Sequence, residues 1–138
     1  ILEKKGYDVL TLGPNASISE AVRILAEQRV GALVITNGEG KIVGILSERD
    51  IVRILAQHGA AALDEPVLSG MTAKVKICNE NHTVYEVMEI MTHGRFRHLP
   101  VEKDGKLHGI VSIGDVVKRR IEDVEKEAEE IRTYIATA

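Results

Sequence analysis

At 138 residues, with 44% apolar and 28% charged side chains, the chain is long enough to bury a substantial core and too ordinary in composition for a disordered or fibrous protein. Its net charge of −3, from 18 basic and 21 acidic residues, argues against a broad nucleic-acid surface. No apolar run approaches the roughly 20 residues needed to span a bilayer, so no membrane insertion is expected.

The opening ILEKKGYDVL does not follow the basic, apolar and small-residue order of a secretory signal. Because the chain starts at Ile1 rather than Met, a larger parent protein stays open. The lone Cys78 allows no internal disulfide and supports no metal cluster, and a buried strand position in a reducing, cytoplasmic setting is expected for it. His58, His82, His93, His98 and His108 are scattered without metal-ligand spacing, so no metal site is expected.

In chain order, the first predicted element is a short strand from Asp8 to Leu12. Ser17 followed by Glu20 is a capping-box pattern, and Ile18, Ala21, Val22 and Leu25 behind it have helical spacing with one buried stripe. The stretch ALVITNGEGKIVGIL reads as two strands joined by a turn. A closing helix carries Ile51, Val52, Ile54 and Leu55 and stops near Gly59. DEPVLSGMT, punctuated by Pro66 and Gly70, links this unit to the next.

The same order then repeats: a strand from Lys74 to Cys78, a helix capped by Thr83 and Glu86 with Val84, Val87, Met88 and Met91 inward, and a strand pair in HLPVEKDGKLHGIV. At an offset of 66, Glu20 meets Glu86, Ile24 meets Ile90, Arg29 meets Arg95 and Leu33 meets Leu99. After a one-residue deletion in the turn, Gly44 meets Gly109, Ser47 meets Ser112 and Asp50 meets Asp115. The expected fold is α/β (α+β): tandem β-α-β-β-α repeats packed with pseudo-twofold symmetry, the helix faces of the two copies against each other, plus an extended C-terminal helix. The boundaries expected are 7–62 and 74–122 for the repeats, 63–73 for the linker and 123–138 for the helix extension.

That last helix carries Val117, Ile121, Val124, Ala128, Ile131 and Ile135 in steps of four and three, a heptad seam with Glu and Lys around it. It reads either as a dimer contact, making a homodimer, or as an amphipathic tail folded back on its own core.

The doubled phrase is GILSERD, 44–50, and GIVSIGD, 109–115. Helix capping accounts for Ser and Asp but does not require Gly44 and Gly109 in strands, where glycine costs stability unless something approaches the backbone closely. A small ligand is the expected neighbour. Helix amides and the Ser hydroxyl suit a phosphate, and Asp50 or Asp115 can accept from vicinal hydroxyls, so the set points to a nucleotide. Adenine would slide between residues such as Val30, Leu33, Ile45 or Ile110.

Together with RHLPV at 97–101 and the MT pair Met71 and Thr72, these phrases resemble a tandem pair of CBS domains, the Bateman module, over residues 7–122, and the whole is similar to small stand-alone bacterial members. The resemblance implies non-catalytic regulatory binding of AMP, ADP, ATP or NAD(H) in clefts between the repeats, with no catalytic cofactor. By the same resemblance Ser47 and Asp50 face Lys76, Ile77, Arg97 and His98, with Pro100 in the same motif, while Ser112 and Asp115 face Thr11, Ala16, Gly31 and Ala32. Arg49, Arg95, Arg97 and His98 make the first cleft the more cationic and the better suited to polyphosphates. Arg95 also admits a structural ion pair, since Arg29 keeps the position basic in the other repeat. The phrases GxSxG, GxxxxGK[ST] and GxGxxG are absent, so an enzyme is not expected. A ligand-free dimerisation module and a regulatory fragment of a larger enzyme or transporter are the alternatives.

Overall fold

A computed structural model describes residues 9–137. In the first repeat, β1 (Thr11–Leu12) is followed by α1 (Ile18–Gln28), β2 (Ala32–Thr36), β3 (Ile42–Ser47) and α2 (Glu48–His58). Two 3-10 turns, Gly59–Asp64 and Val67–Ser69, lead to the second repeat: β4 (Cys78–Asn79), α3 (Val84–Gly94), β5 (His98–Lys103), β6 (Lys106–Ser112) and α4 (Ile113–Thr137). Each repeat forms one three-stranded sheet with its second strand central, parallel to the first and antiparallel to the third.

The helices begin where a side chain can satisfy their free amides. Ser17 accepts from the Glu20 amide at the start of α1, and Thr83 and Glu86 make the full reciprocal box at the start of α3. The Thr83 amide, donating to the Glu86 carboxylate, holds that carboxyl below its usual range. Both α1 and α3 end on an arginine in the left-handed region, Arg29 at φ 54° and Arg95 at φ 57°, a position that favours glycine. The repeat thus keeps a mildly strained residue in both copies.

Two apolar clusters form, one per repeat, each between a sheet and its own helices. The first gathers Ile18, Ala21, Leu25, Leu33, Ile35, Leu46, Ile51 and Ile54, and also takes in Ala62 and Val67 from the two 3-10 turns that follow α2. The second gathers Cys78, Val87, Met91, Leu99, Val101, Val111 and Val116. On the central strands Val34 and Pro100 are also fully buried, yet they belong to neither cluster. They lie on the sheet faces turned away from the helices, and contact across that side is direct: a Cβ built on Gly31 would sit 3.2 Å from the His98 ring.

The repeats therefore meet on the sheet side, which corrects the expectation that their helix faces pack together. The continuous apolar run ALVI is that of a strand covered on both faces, with helices on one side and the sister repeat on the other. A second correction concerns the opening strand of repeat 2. It covers Cys78–Asn79 instead of Lys74 to Cys78, because Lys76 and Ile77 are exposed and pair with no strand. The residues of the expected first strand before Val9 lie outside the described ones, as does the final Ala138.

The linker is not a free tether. Ile18 donates its amide to the Glu65 carbonyl, Val67 to Ala16 and Leu68 to Pro14, so the 3-10 segment is strapped across the start of α1. Beyond it, Thr72 and Ile45 exchange backbone hydrogen bonds of 2.9 and 3.0 Å, covering the edge of β3.

Two measurements check this packing. Replacing Arg29 by Gly removes a left-handed side chain and is expected to raise unfolding free energy by about 0.5–1 kcal/mol in urea titration. Burial pushes the Cys78 thiol up from 9.0 to about 11. A thiol whose folded pKa is raised adds stability that is complete below 9.0 and is lost as pH climbs towards about 11, so Cys78→Ala should flatten the alkaline limb of the stability curve over that window.

Candidate functional site

The doubled phrase occupies the junction where a third strand turns into a helix. Ser47 closes β3 and caps α2: its hydroxyl accepts from the Asp50 amide at 3.2 Å, and its own amide donates to Asp50 Oδ2 at 3.0 Å. In the second repeat the Ser112 amide donates to Asp115 Oδ2 at 2.8 Å, and the Asp115 amide to the Ser112 hydroxyl at 3.1 Å. The capping role is present in both copies.

Each junction is hooked to the entrance of its own central strand. The Glu48 amide donates to the Gly31 carbonyl at 3.0 Å and the Ile113 amide to the Arg97 carbonyl at 2.8 Å. Ser47 is thereby placed beside Ala32, and Ser112 beside His98. Gly31 and His98 face each other across the repeats, so the α2 junction of repeat 1 opens towards the β5 entrance of repeat 2.

Between them lies a cavity of about 210 Å³. Of the residues expected at this cleft, it brings together Ser47, Arg49, Asp50, Arg95, Arg97 and His98, and it also takes in Gly31, which the resemblance assigns to the sister cleft at Ser112 and Asp115. Its other walls are Ile45, Glu48, Thr72 and Phe96. Lys76 and Ile77 line a neighbouring cavity of about 550 Å³ with Glu89, Ile90, His93 and Gly94, and Phe96 is the wall common to both.

The remaining expected residues do not line this cavity. Thr11 is exposed on β1, Ala32 and Leu33 are buried at the start of β2, and Pro100 is buried in β5. Ala16 gives its carbonyl to the Val67 amide at 2.7 Å. Ser112 and Asp115 hold the start of α4.

The electrostatics of the cleft are uneven. Among the described residues, Arg49, Arg95 and Arg97 form no ion pair, so three guanidinium groups converge without a carboxylate partner. Asp50 is the opposite case. Its Oδ2 receives the Ser47 amide and, at 3.1 Å, the Ser47 hydroxyl. Its Oδ1 receives Arg53 at 3.1 Å and the Thr72 hydroxyl at 3.4 Å. With the Asp50 side chain 13% exposed, a further donor at this carboxylate has to displace Arg53 or the longer Thr72 contact.

Gly44 has a different reason from the one expected. A Cβ there would collide with the Met71 side chain, so what approaches the strand backbone is the protein's own thioether. Gly44 also adjoins the register shift between Ile35 and Thr36, and Gly109 adjoins the matching shift between Val101 and Glu102, so both strands bend at their glycine.

Phe96 and Thr72 line the cavity without being among the contact residues expected from the sequence. The sequence does carry a signal for Phe96: it is the only phenylalanine, stands between Arg95 and Arg97, and aligns at the repeat offset with Val30, one of the residues expected beside the base.

Two copies of a capped strand-to-helix junction, the first opening onto a cleft walled by the other repeat, define a tandem-repeat module. The chain belongs to the CBS domain family, which matches residues 5–57 and 66–122. A CBS-domain containing protein from Agrobacterium tumefaciens has a crystal structure similar to this fold, with 51% identity over 86% of this chain and 94% of that one and a TM-score of 0.83. A CBS domain protein from Pyrobaculum aerophilum, complexed with AMP, is 33% identical over 78% of this chain and 82% of its own, with a TM-score of 0.70. The CBS domain pair of protein MJ0100, in complex with 5′-methylthioadenosine and S-adenosyl-L-methionine, is 29% identical over 84% and 90% of the two chains, with a TM-score of 0.76. Longer relatives exist: the chain spans 60% of the mitochondrial CBS domain-containing protein CBSX3 of Arabidopsis thaliana, at 34% identity over 86% of its own length. No helix of the described residues is long and apolar enough to cross a membrane.

The role of Met71 is open to a double-mutant cycle. Gly44→Ala should cost about 1–3 kcal/mol of stability by overpacking. In a Met71→Ala background that cost should fall by about 1 kcal/mol or more. An equal cost in both backgrounds would show that another neighbour requires the glycine.

Proposed function

We propose that the chain is a non-catalytic regulatory module that binds an adenosine-containing nucleotide in the cleft between its repeats, with its phosphates on Arg49, Arg95 and Arg97 and its ribose near Asp50 and Thr72. The observation that carries the reading is the convergence of three arginines, each without an ion-pair partner among the described residues, on the start of α2, where Ser47 adds a hydroxyl. Guanidinium forks match phosphate oxygens, so ADP, ATP or the pyrophosphate of NAD(H) should gain more here than AMP. Adenosine ligands in two CBS relatives support the class of ligand.

The cleft between Gly31 and the His98 ring is narrow for a whole nucleotide, since ligand sites usually enclose about 300–1,000 Å³. Rotation of Phe96 would join it to the cavity bearing Lys76 and Ile77, giving the base an apolar slot beside Ile90. The sister cleft at Ser112 and Asp115 has Thr11, Ala16, Gly31, Ala32 and Leu33 as its proposed lining and should bind phosphates more weakly. A single buried thiol suits a reducing compartment such as the cytoplasm.

A second reading is a structural dimerisation or interaction module without ligand. It is favoured by the Asp50 carboxylate, which the protein's own donors already engage, and by Met71 against Gly44.

Thermal unfolding separates the two. A nucleotide at a hundred times its dissociation constant should add about 2.7 kcal/mol of stability, and no shift with AMP, ADP, ATP, NAD(H) or S-adenosylmethionine would favour the structural module. Under the nucleotide reading, Asp50→Ala should weaken calorimetric affinity about ten- to a hundredfold. Unchanged affinity would leave the carboxylate as a helix cap alone.

A further inference from the structure

The family match ends at residue 122, yet α4 continues to Thr137 without a break. Along it Val117, Ile121, Val124, Ile131 and Ile135 are between 44% and 68% exposed. The helix is not folded back on the core, and among the described residues no element covers this face. At its base the seam opens into a groove of about 540 Å³ lined by Ile113, Gly114, Val117, Lys118, Ile121 and Glu122.

The steps of four and three fix a heptad assignment. Val117, Val124 and Ile131 take the d positions and Ile121, Ala128 and Ile135 the a positions, which puts Arg120 and Glu127 at g and Glu125 and Arg132 at e. None of these four charged residues forms an ion pair with a described residue.

We propose that α4 pairs with α4 of a second copy of the chain as a parallel, in-register coiled coil. In that arrangement each g residue faces the next e residue of the partner helix. Arg120 then meets the other copy's Glu125, and Glu127 meets its Arg132, each twice by symmetry. The fully overlapped antiparallel alternative places Glu125 against Glu125, Glu127 against Glu127 and Lys118 against Arg132, all repulsive. Slipping the antiparallel pair by one heptad restores some attraction but strands a heptad of apolar side chains in water. Charge complementarity and apolar coverage coincide only in the parallel register.

The first turns of α4 are held by the folded body through Val116, which is fully buried, so part of the ordering cost of association is met before pairing. The seam is short, and it carries Ala128 at its centre and β-branched residues at d, which pack less well than Leu in a parallel pair. Pairing in the micromolar range is expected, and it should weaken with salt.

Cysteine cross-linking of the full chain, with buried Cys78 left in place, tests orientation. Ile131→Cys should form an interchain disulfide with itself under mild oxidation, and sedimentation should give a concentration-dependent dimer. Arg120→Glu should weaken dimerisation about tenfold, and adding Glu125→Arg should restore it. A monomer at the highest soluble concentration, a trimer, a disulfide formed only between Ile121→Cys and Ile131→Cys copies, or a charge swap that fails to restore pairing would each overturn the proposal. Circular dichroism of each variant keeps a loss of pairing distinct from a loss of fold. Nucleotide binding plays no part in these outcomes.

Discussion

One backbone hydrogen bond, made once in each repeat, holds the rest of the architecture in place. The first amide after the third strand donates to the carbonyl just before the second: Glu48 to Gly31, and Ile113 to Arg97. It brings the start of a helix beside the entrance of the central strand, and the reciprocal Ser and Asp bonds satisfy further groups of that turn. It adds to the strand pairing of Ser47 with Ala32 and of Ser112 with His98, and so carries the sheet's register into the first residue of the helix.

From that shared frame the two copies diverge by side chain. Where repeat 1 has Val30 and Gly31 at the strand entrance, repeat 2 has Phe96 and Arg97. The cleft that borrows its wall from repeat 2 is consequently lined by cations and an aromatic ring. Arg29 and Arg95 take the same left-handed cap, yet Arg95 lies in a cavity that also holds Arg49 and Arg97. A backbone requirement common to both halves thus coexists with an electrostatic difference between them.

The elements were legible because their signals are local. Ser17, Thr83 and Ser47 mark helix starts through bonds to residues three positions on, and the periods of the apolar residues separate helix from strand. The doubling located the candidate junctions without any knowledge of the fold. What escaped depends on contacts remote in sequence. Met71 explains Gly44 only once the linker is laid along β3, and Val34 and Pro100 show which side joins the repeats only once both sheets exist. Lys76 and Ile77 have strand-like neighbours but no partner, and pairing is not written in composition.

The Arg97 carbonyl has one more bearing. Its side chain lines the cleft while its backbone anchors the first turn of a helix of 25 residues, about 37 Å long at the usual rise. Such a helix is a lever arm with its fulcrum at the wall of the cleft. A tilt of about 5° there would sweep the far tip through roughly 3 Å. Displacements too small to notice at the pivot would become steps large enough for a neighbouring molecule to read.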